Sequence, residues 1–156
     1  MKIIYSDQPV EVLGKRGTIK SIFLVGPTPR DKKVKSWRPE AIEILKDLGF
    51  NGIVFVPEWS TGEFKGTYLD QVDWEWKALH LSSAIAAWVP RSLPGMPALT
   101  TNFELGYWLA KSPQKVRYGR PEESAKNRYL DWSYSKCTGR TPQNSLEGLL
   151  KEGVVF

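Results

Sequence analysis

At 156 residues, 41% of them hydrophobic and 12% aromatic, the chain is of single-domain size and can fill a core, which excludes a largely disordered protein. Its 22 Lys and Arg against 17 Asp and Glu give a net charge of +5, an excess that suits anionic small ligands as well as nucleic acid. One cysteine, Cys137, and one histidine, His80, exclude an internal disulfide and a Cys/His zinc cluster, so no metal site is expected.

The opening MKIIYSDQPVEV lacks the apolar run of about 7–15 residues that marks a signal peptide. No stretch approaches the ~18 apolar residues of a membrane span, so a soluble, cytoplasmic protein without membrane contact is expected. Alternating apolar positions and an LGKRG turn make residues 1–20 an N-terminal arm or an edge hairpin. A short apolar run, Ile22 to Val25, stops at Gly26-Pro27-Thr28-Pro29, as a buried strand does at a tight loop. SWRPEAIEILKDLGF reads as a helix with Ser36 as N-cap, Ala41, Ile42, Leu45 and Leu48 on one face, and Gly49 as the stop. GIVFVPE is a second strand. A polar loop through Lys65–Tyr68 precedes a helix in LDQVDWEWKALHLSSA, with Val72, Trp76 and Leu79 at helical spacing. IAAWVP is a third strand, ended by RSLPGMP. The helix TTNFELGYWLAKS, a strand at KVRYG, and helices through KNRYLDWSYSKC and SLEGLLKEG complete the chain.

Alternating strands and helices with short apolar strands predict an α/β fold: a parallel sheet of about four to five strands, covered by helices on both faces. The residues 1–156 are expected to form one domain. In such sheets a ligand sits beyond the carboxyl ends of the strands. That rule selects the loops Gly26–Arg30, Pro57–Trp59 and Pro90–Asn102.

The third loop runs into TTNFELG. Thr101-Asn102-Phe103-Glu104 fits a capping box, in which Thr101 accepts from the N3 amide and the glutamate reaches back. The same carboxylate stands at the ligand edge beside Gly106, which lets another group approach. On these residues alone Glu104 is either the cap or a reacting group.

Together IFLVGPTPR, SWRPEAIEIL, GIVFVPEW, QVDWEWKALHLSSAIAAWVPR and MPALTTNFELGYW resemble the nucleoside 2-deoxyribosyltransferase-like family, from about Ser21 to Tyr134. The resemblance implies a flavodoxin-like three-layer fold and a glutamate nucleophile in an E-x-G at a helix start, which maps onto Glu104 and Gly106. It implies a nucleoside or nucleotide and a free nucleobase as partners, no cofactor, and a homo-oligomer; nucleic acid is not an expected partner. The expected outcome is transfer of a deoxyribosyl group between bases, with hydrolysis of a deoxynucleoside monophosphate or a non-catalytic nucleotide-sensing module as alternatives.

The chemistry supports that pattern independently. Cleaving an N-glycosidic bond develops oxocarbenium character at the anomeric carbon, which a carboxylate beneath the sugar stabilises and can capture. The departing base needs a proton or a hydrogen bond from a second group. Glu75, by the resemblance, and Asp73 are the candidates, although both would also suit a solvated helix face. Trp74 and Trp76 could stack on a base or simply fill the core. Gly26 would bring its backbone close to the ligand, with Thr28 and Arg30 on sugar hydroxyl or phosphate, unless the two prolines serve only to stop the strand. Asn102 is placed on the sugar, Trp88 on the base and Arg91 on an anionic group. The sequence departs from the pattern at Phe23, where relatives tend to carry an aromatic hydroxyl, at Met96–Thr100, which lacks an acid, and at Ala84 in place of aspartate. Lys32, Lys33 and Lys35 beside an exposed Trp37 would suit the sensing module. His80 is expected to be a hydrogen-bonded boundary residue, and Cys137 has no partner motif.

Overall fold

A computed structural model describes residues 1–10, 19–29, 34–93 and 95–154. Strands β1 (Lys2–Tyr5), β2 (Ser21–Val25), β3 (Ile53–Val56), β4 (Ala84–Trp88) and β5 (Val116–Gly119) form one sheet in the order β1-β3-β2-β4-β5. Every described pairing is parallel. The helices are α1 (Arg38–Asp47), α2 (Tyr68–Leu81), α3 (Leu99–Lys111), α4 (Arg128–Thr138) and α5 (Leu146–Val154). This is a three-layer α/β fold of flavodoxin-like type, its sheet within the expected strand count. The N-terminal residues supply an edge strand, β1, parallel to β3; the LGKRG turn lies outside the described residues.

Alternation within the strands divides the core. Phe23, Val25, Phe55, Ile85, Ala87 and Tyr118 point to one face, where α2, α3 and α4 contribute Trp74, Ala78, Leu105, Trp108, Leu109, Leu130 and Tyr134. Ile22, Leu24, Val54, Val56, Ala84, Ala86 and Trp88 point to the other, against Ala41, Ile42, Leu45, Leu149 and Leu150 of α1 and α5. Strands buried on both faces explain the uninterrupted apolar runs.

From β2 the chain runs through α1 to β3 on one side, then through α2 back across to β4 on the other. The carboxyl ends of β2 and β4 therefore flank the switch point where open sheets of this type bind ligands.

Several local expectations change. The residue at the N-cap of α1 is Trp37 rather than Ser36; the Ser36 hydroxyl accepts from the Arg38 amide at 3.2 Å and donates to Glu58 at 2.7 Å. Trp37 is buried, not exposed, because its ring packs against Gly26. Helix α2 begins at Tyr68, inside the expected loop, since Thr67 and Asp70 form a capping box. Its buried face carries Trp74, Ala78 and Leu79, which leaves Val72 and Trp76 exposed.

Candidate active site

Helix α3 starts at Leu99, two residues before the expected cap. Its N-cap is Ala98, in the left-handed region at φ 56° and ψ 40°, and no side chain caps the helix. The first intrahelical bond is already made by the Asn102 amide to the Ala98 carbonyl at 3.1 Å. Thr101 is consequently a buried third residue of the helix, and Glu104 lies in the second turn. The capping box expected of Thr101 and Glu104 does not form, so helix capping does not account for this carboxylate.

Glu104 stands instead where α2 and α3 approach each other. The two helices meet through rings: Trp76 lies 5.2 Å from Tyr107, and His80 lies 4.9 Å from Trp108, centroid to centroid. Glu104 precedes Tyr107 and Trp108 by one helical turn, on the same flank of α3. Glu75, half-buried on α2, accepts from Gln71 Nε2 at 2.8 Å, and that same amide nitrogen donates to the Pro57 carbonyl at 3.3 Å. The Glu104 carboxyl is pushed up to about 8, first by burial and then by the charge of Glu75, while Arg38 opposes the rise. Burial also raises Glu75, against its bond from Gln71 and the charge of Arg38. Two carboxyls so placed resist ionising together.

The cation common to both is Arg38, whose side chain is fully buried at the carboxyl end of β2. It donates through Nε to the Leu24 carbonyl at 3.2 Å and through Nη2 to the Gly26 carbonyl at 2.6 Å. Nη1 reaches Thr28 Oγ1 at 3.1 Å and Glu58 Oε1 at 2.6 Å. Burial lowers its pKa, and Glu58, Glu104 and Glu75 oppose that shift. Sequence reasoning missed Arg38 and Glu58. The available signals were an Arg-Pro pair opening a helix and a Pro-Glu pair closing a strand, the latter inside a loop selected for inspection.

Gly26 is required by close packing. A Cβ there would lie 2.2 Å from the Trp88 carbonyl oxygen and 2.8 Å from the Trp37 ring. Thr28 is exposed and tied to Arg38; Arg30, Lys32 and Lys33 lie outside the described residues.

A second polar group forms at the starts of α3 and α4. Arg91 is buried and donates to Asn102 Oδ1 and, at 3.1 Å, to the Lys126 carbonyl, both neutral acceptors. Among the described residues it has no ion pair. Trp88 is buried on the α1/α5 side, where a cleft of about 400 Å³ is lined by Lys35, Trp37, Glu40, Trp88, Pro90 and Met96 among others. Neither Glu75 nor Glu104 lines that cleft. Asp73 is exposed on α2, and Gly106 is exposed on α3 with open space where a side chain would be. The structure thus brings Glu104, Glu75, Gly26 and Thr28 within reach of Arg38, with the Trp88 backbone packed on Gly26, and pairs Arg91 with Asn102; Asp73 and Gly106 make no described contact with either group.

Two of the three departures from the sequence pattern take ordinary structural places. Phe23 is core, 6.1 Å from the Trp74 ring, and Ala84 is buried in β4. His80 is hydrogen-bonded at the boundary, Nδ1 to the Trp76 carbonyl at 2.8 Å and Nε2 to Lys111 at 2.9 Å. Cys137 is exposed. Among the described residues no helix is long and apolar enough to cross a membrane.

The sequence model described as "Nucleoside 2-deoxyribosyltransferase like" matches residues 19–121, well over half of the chain and a span that includes Arg38, Glu58, Glu75 and Glu104. No curated protein matches.

Proposed function

The chain belongs to the nucleoside 2-deoxyribosyltransferase-like family, and from that premise we propose that it cleaves the N-glycosidic bond of a 2-deoxynucleoside or deoxynucleotide and transfers the sugar to another nucleobase. Glu104 is the nucleophile and Glu75 its acidic partner. The observation that carries the reading is Glu104 itself: a carboxyl free of any capping duty, within the field of a second carboxyl and of a buried arginine.

Burial and mutual repulsion disfavour the doubly ionised state, so the reacting form is one in which the pair carries a single proton. Glu104, ionised in that form, attacks the anomeric carbon as the C–N bond breaks, and Glu75 gives its proton to the departing base. A glycosyl-glutamate ester remains. A second base attacks the anomeric carbon and regenerates the carboxylate; attack by water would give hydrolysis instead. Arg38 limits the cost of ionising a carboxyl in this setting and, through Leu24, Gly26 and Glu58, fixes the end of β2.

A second reading, hydrolysis of a deoxynucleoside monophosphate, is favoured by Arg91. A buried guanidinium whose described acceptors are neutral suits a phosphate, and Asn102 holds it two residues from Glu104. Incubation with deoxynucleosides and deoxynucleoside monophosphates, with and without a second base, separates the two by chromatography. New nucleoside formed only with acceptor base, and lost in Glu104→Ala, is the expected result. Free base released without acceptor would establish the hydrolase, and binding without turnover the sensing module.

A further inference from the structure

Gln71 stands one helical turn before Glu75 on α2, and its amide nitrogen carries two hydrogens. One is donated to Glu75 Oε1 at 2.8 Å and the other to the Pro57 carbonyl at 3.3 Å. A backbone carbonyl can only accept, so the nitrogen of the amide, not its oxygen, must face these two groups. Gln71 Oε1 is buried and, among the described residues, has no partner, so the oxygen side does not set the orientation. Pro57 is followed by Glu58, which is ion-paired to Arg38 at 2.6 Å. The amide therefore ties Glu75 to the end of β3 that also holds the arginine.

A neutral carboxyl keeps its proton on one oxygen, and its carbonyl oxygen is the better acceptor of the two. With Oε1 accepting from Gln71, the Glu75 proton sits on Oε2. Once that proton leaves, the same N–H bonds a carboxylate and strengthens. The bond thus favours the state after proton transfer over the state before it. Burial raises the Glu75 carboxyl, while the bond from Gln71 and then the charge of Arg38 oppose the rise. Arg38 from α1 and Glu104 from α3 are the charges that act on this carboxyl, and Glu58 is engaged by Arg38.

We propose that Gln71 is a positioning residue for departure of the base: it holds the Glu75 carboxyl with its proton on Oε2 and stabilises the carboxylate left behind. The inference rests on the reading of Glu75 as the acid of the proposed transfer. In that step the C–N electron pair passes to the base and the Oε2 proton goes to a base nitrogen or oxygen. A Glu104 oxygen forms the new bond to the anomeric carbon. Gln71 forms no bond to the substrate and acts through Glu75.

A donor whose base leaves without a proton separates positioning from a merely structural role. The base of 7-methyl-2-deoxyguanosine is already cationic and departs neutral. Gln71→Met is expected to lower kcat roughly 10–100-fold on ordinary deoxynucleosides, a part of the ~10²–10⁴ that a positioned general acid supplies, and less than about threefold on the methylated donor. Gln71→Asn, too short to reach both acceptors, is the second variant and should show the same split. Equal losses on both kinds of donor, or no loss on either, would overturn the positioning role and leave the transfer reading standing. No turnover of any donor by the wild type would overturn that reading and this inference with it. Carbon NMR of labelled glutamate gives a readout without turnover: the Glu75 carboxyl should titrate higher in Gln71→Met than in the wild type, because the bond that opposes its rise is gone. An unchanged titration would overturn the inference whatever the rates.

Discussion

Replacing Glu104 by glutamine preserves side-chain shape and removes a titration that burial, then Glu75, raises from 4.5 to about 8. A carboxyl raised in the fold binds its proton more tightly there than in the unfolded chain. Its contribution to stability is full below the unfolded value and is lost as pH rises through about 8. At about 1.4 kcal/mol for each tenfold, the interval corresponds to roughly 3–5 kcal/mol. In a chain of this length about 1 kcal/mol moves Tm by roughly 2–4 °C, so the wild type should lose on the order of 10 °C relative to Glu104→Gln between about pH 5 and pH 9. Paired thermal denaturation at fixed ionic strength measures this directly. Parallel curves across that range would refute the placement of Glu104 in a desolvated, like-charged setting.

Glu75→Gln removes the second cause of that shift and leaves the first, so the Glu104 carboxyl should titrate below about 8 but above 4.5; carbon NMR of a labelled carboxyl reads it, and an unchanged value would separate the two residues. Arg38→Met takes the guanidinium away from Glu58 and from three further acceptors, an expected loss of about 3–5 kcal/mol in denaturant unfolding, with less than about 1 kcal/mol counting against a buried ion pair. Lys126 is exposed at φ 56°, so Lys126→Gly should raise stability by about 0.5–1 kcal/mol while its carbonyl still accepts from Arg91, and a fall in Tm would contradict the left-handed assignment.

The layer order was legible because strands buried on both faces leave unbroken apolar runs, seen in Ile22–Val25 and Ala84–Trp88. The neighbourhood of Glu104 was legible too, since the loop after β4 falls at the switch point. Its local role was not. Capping propensity favours Thr101, but the chain turns earlier, through a left-handed alanine whose side chain offers no cap. Arg38 escaped notice for a related reason: a fully buried arginine runs against burial preferences, and its acceptors are two backbone carbonyls of the preceding strand and loop and a glutamate 20 residues away. In α2, Val72 and Trp76 have the spacing of a buried face, yet the sheet takes Trp74 and Ala78. Periodicity marks an apolar stripe without stating which surface covers it.

Capture of the sugar by the Glu104 carboxylate is the step on which the proposed transfer depends. Intact-mass and peptide-mapping mass spectrometry after brief incubation with deoxynucleosides and deoxynucleoside monophosphates, quenched in acid, tests it most directly. One glycosyl unit carried on Glu104, absent from Glu104→Gln and discharged when a nucleobase is added, is the expected result. A glycosyl adduct on another residue, or full turnover by Glu104→Gln, would contradict it.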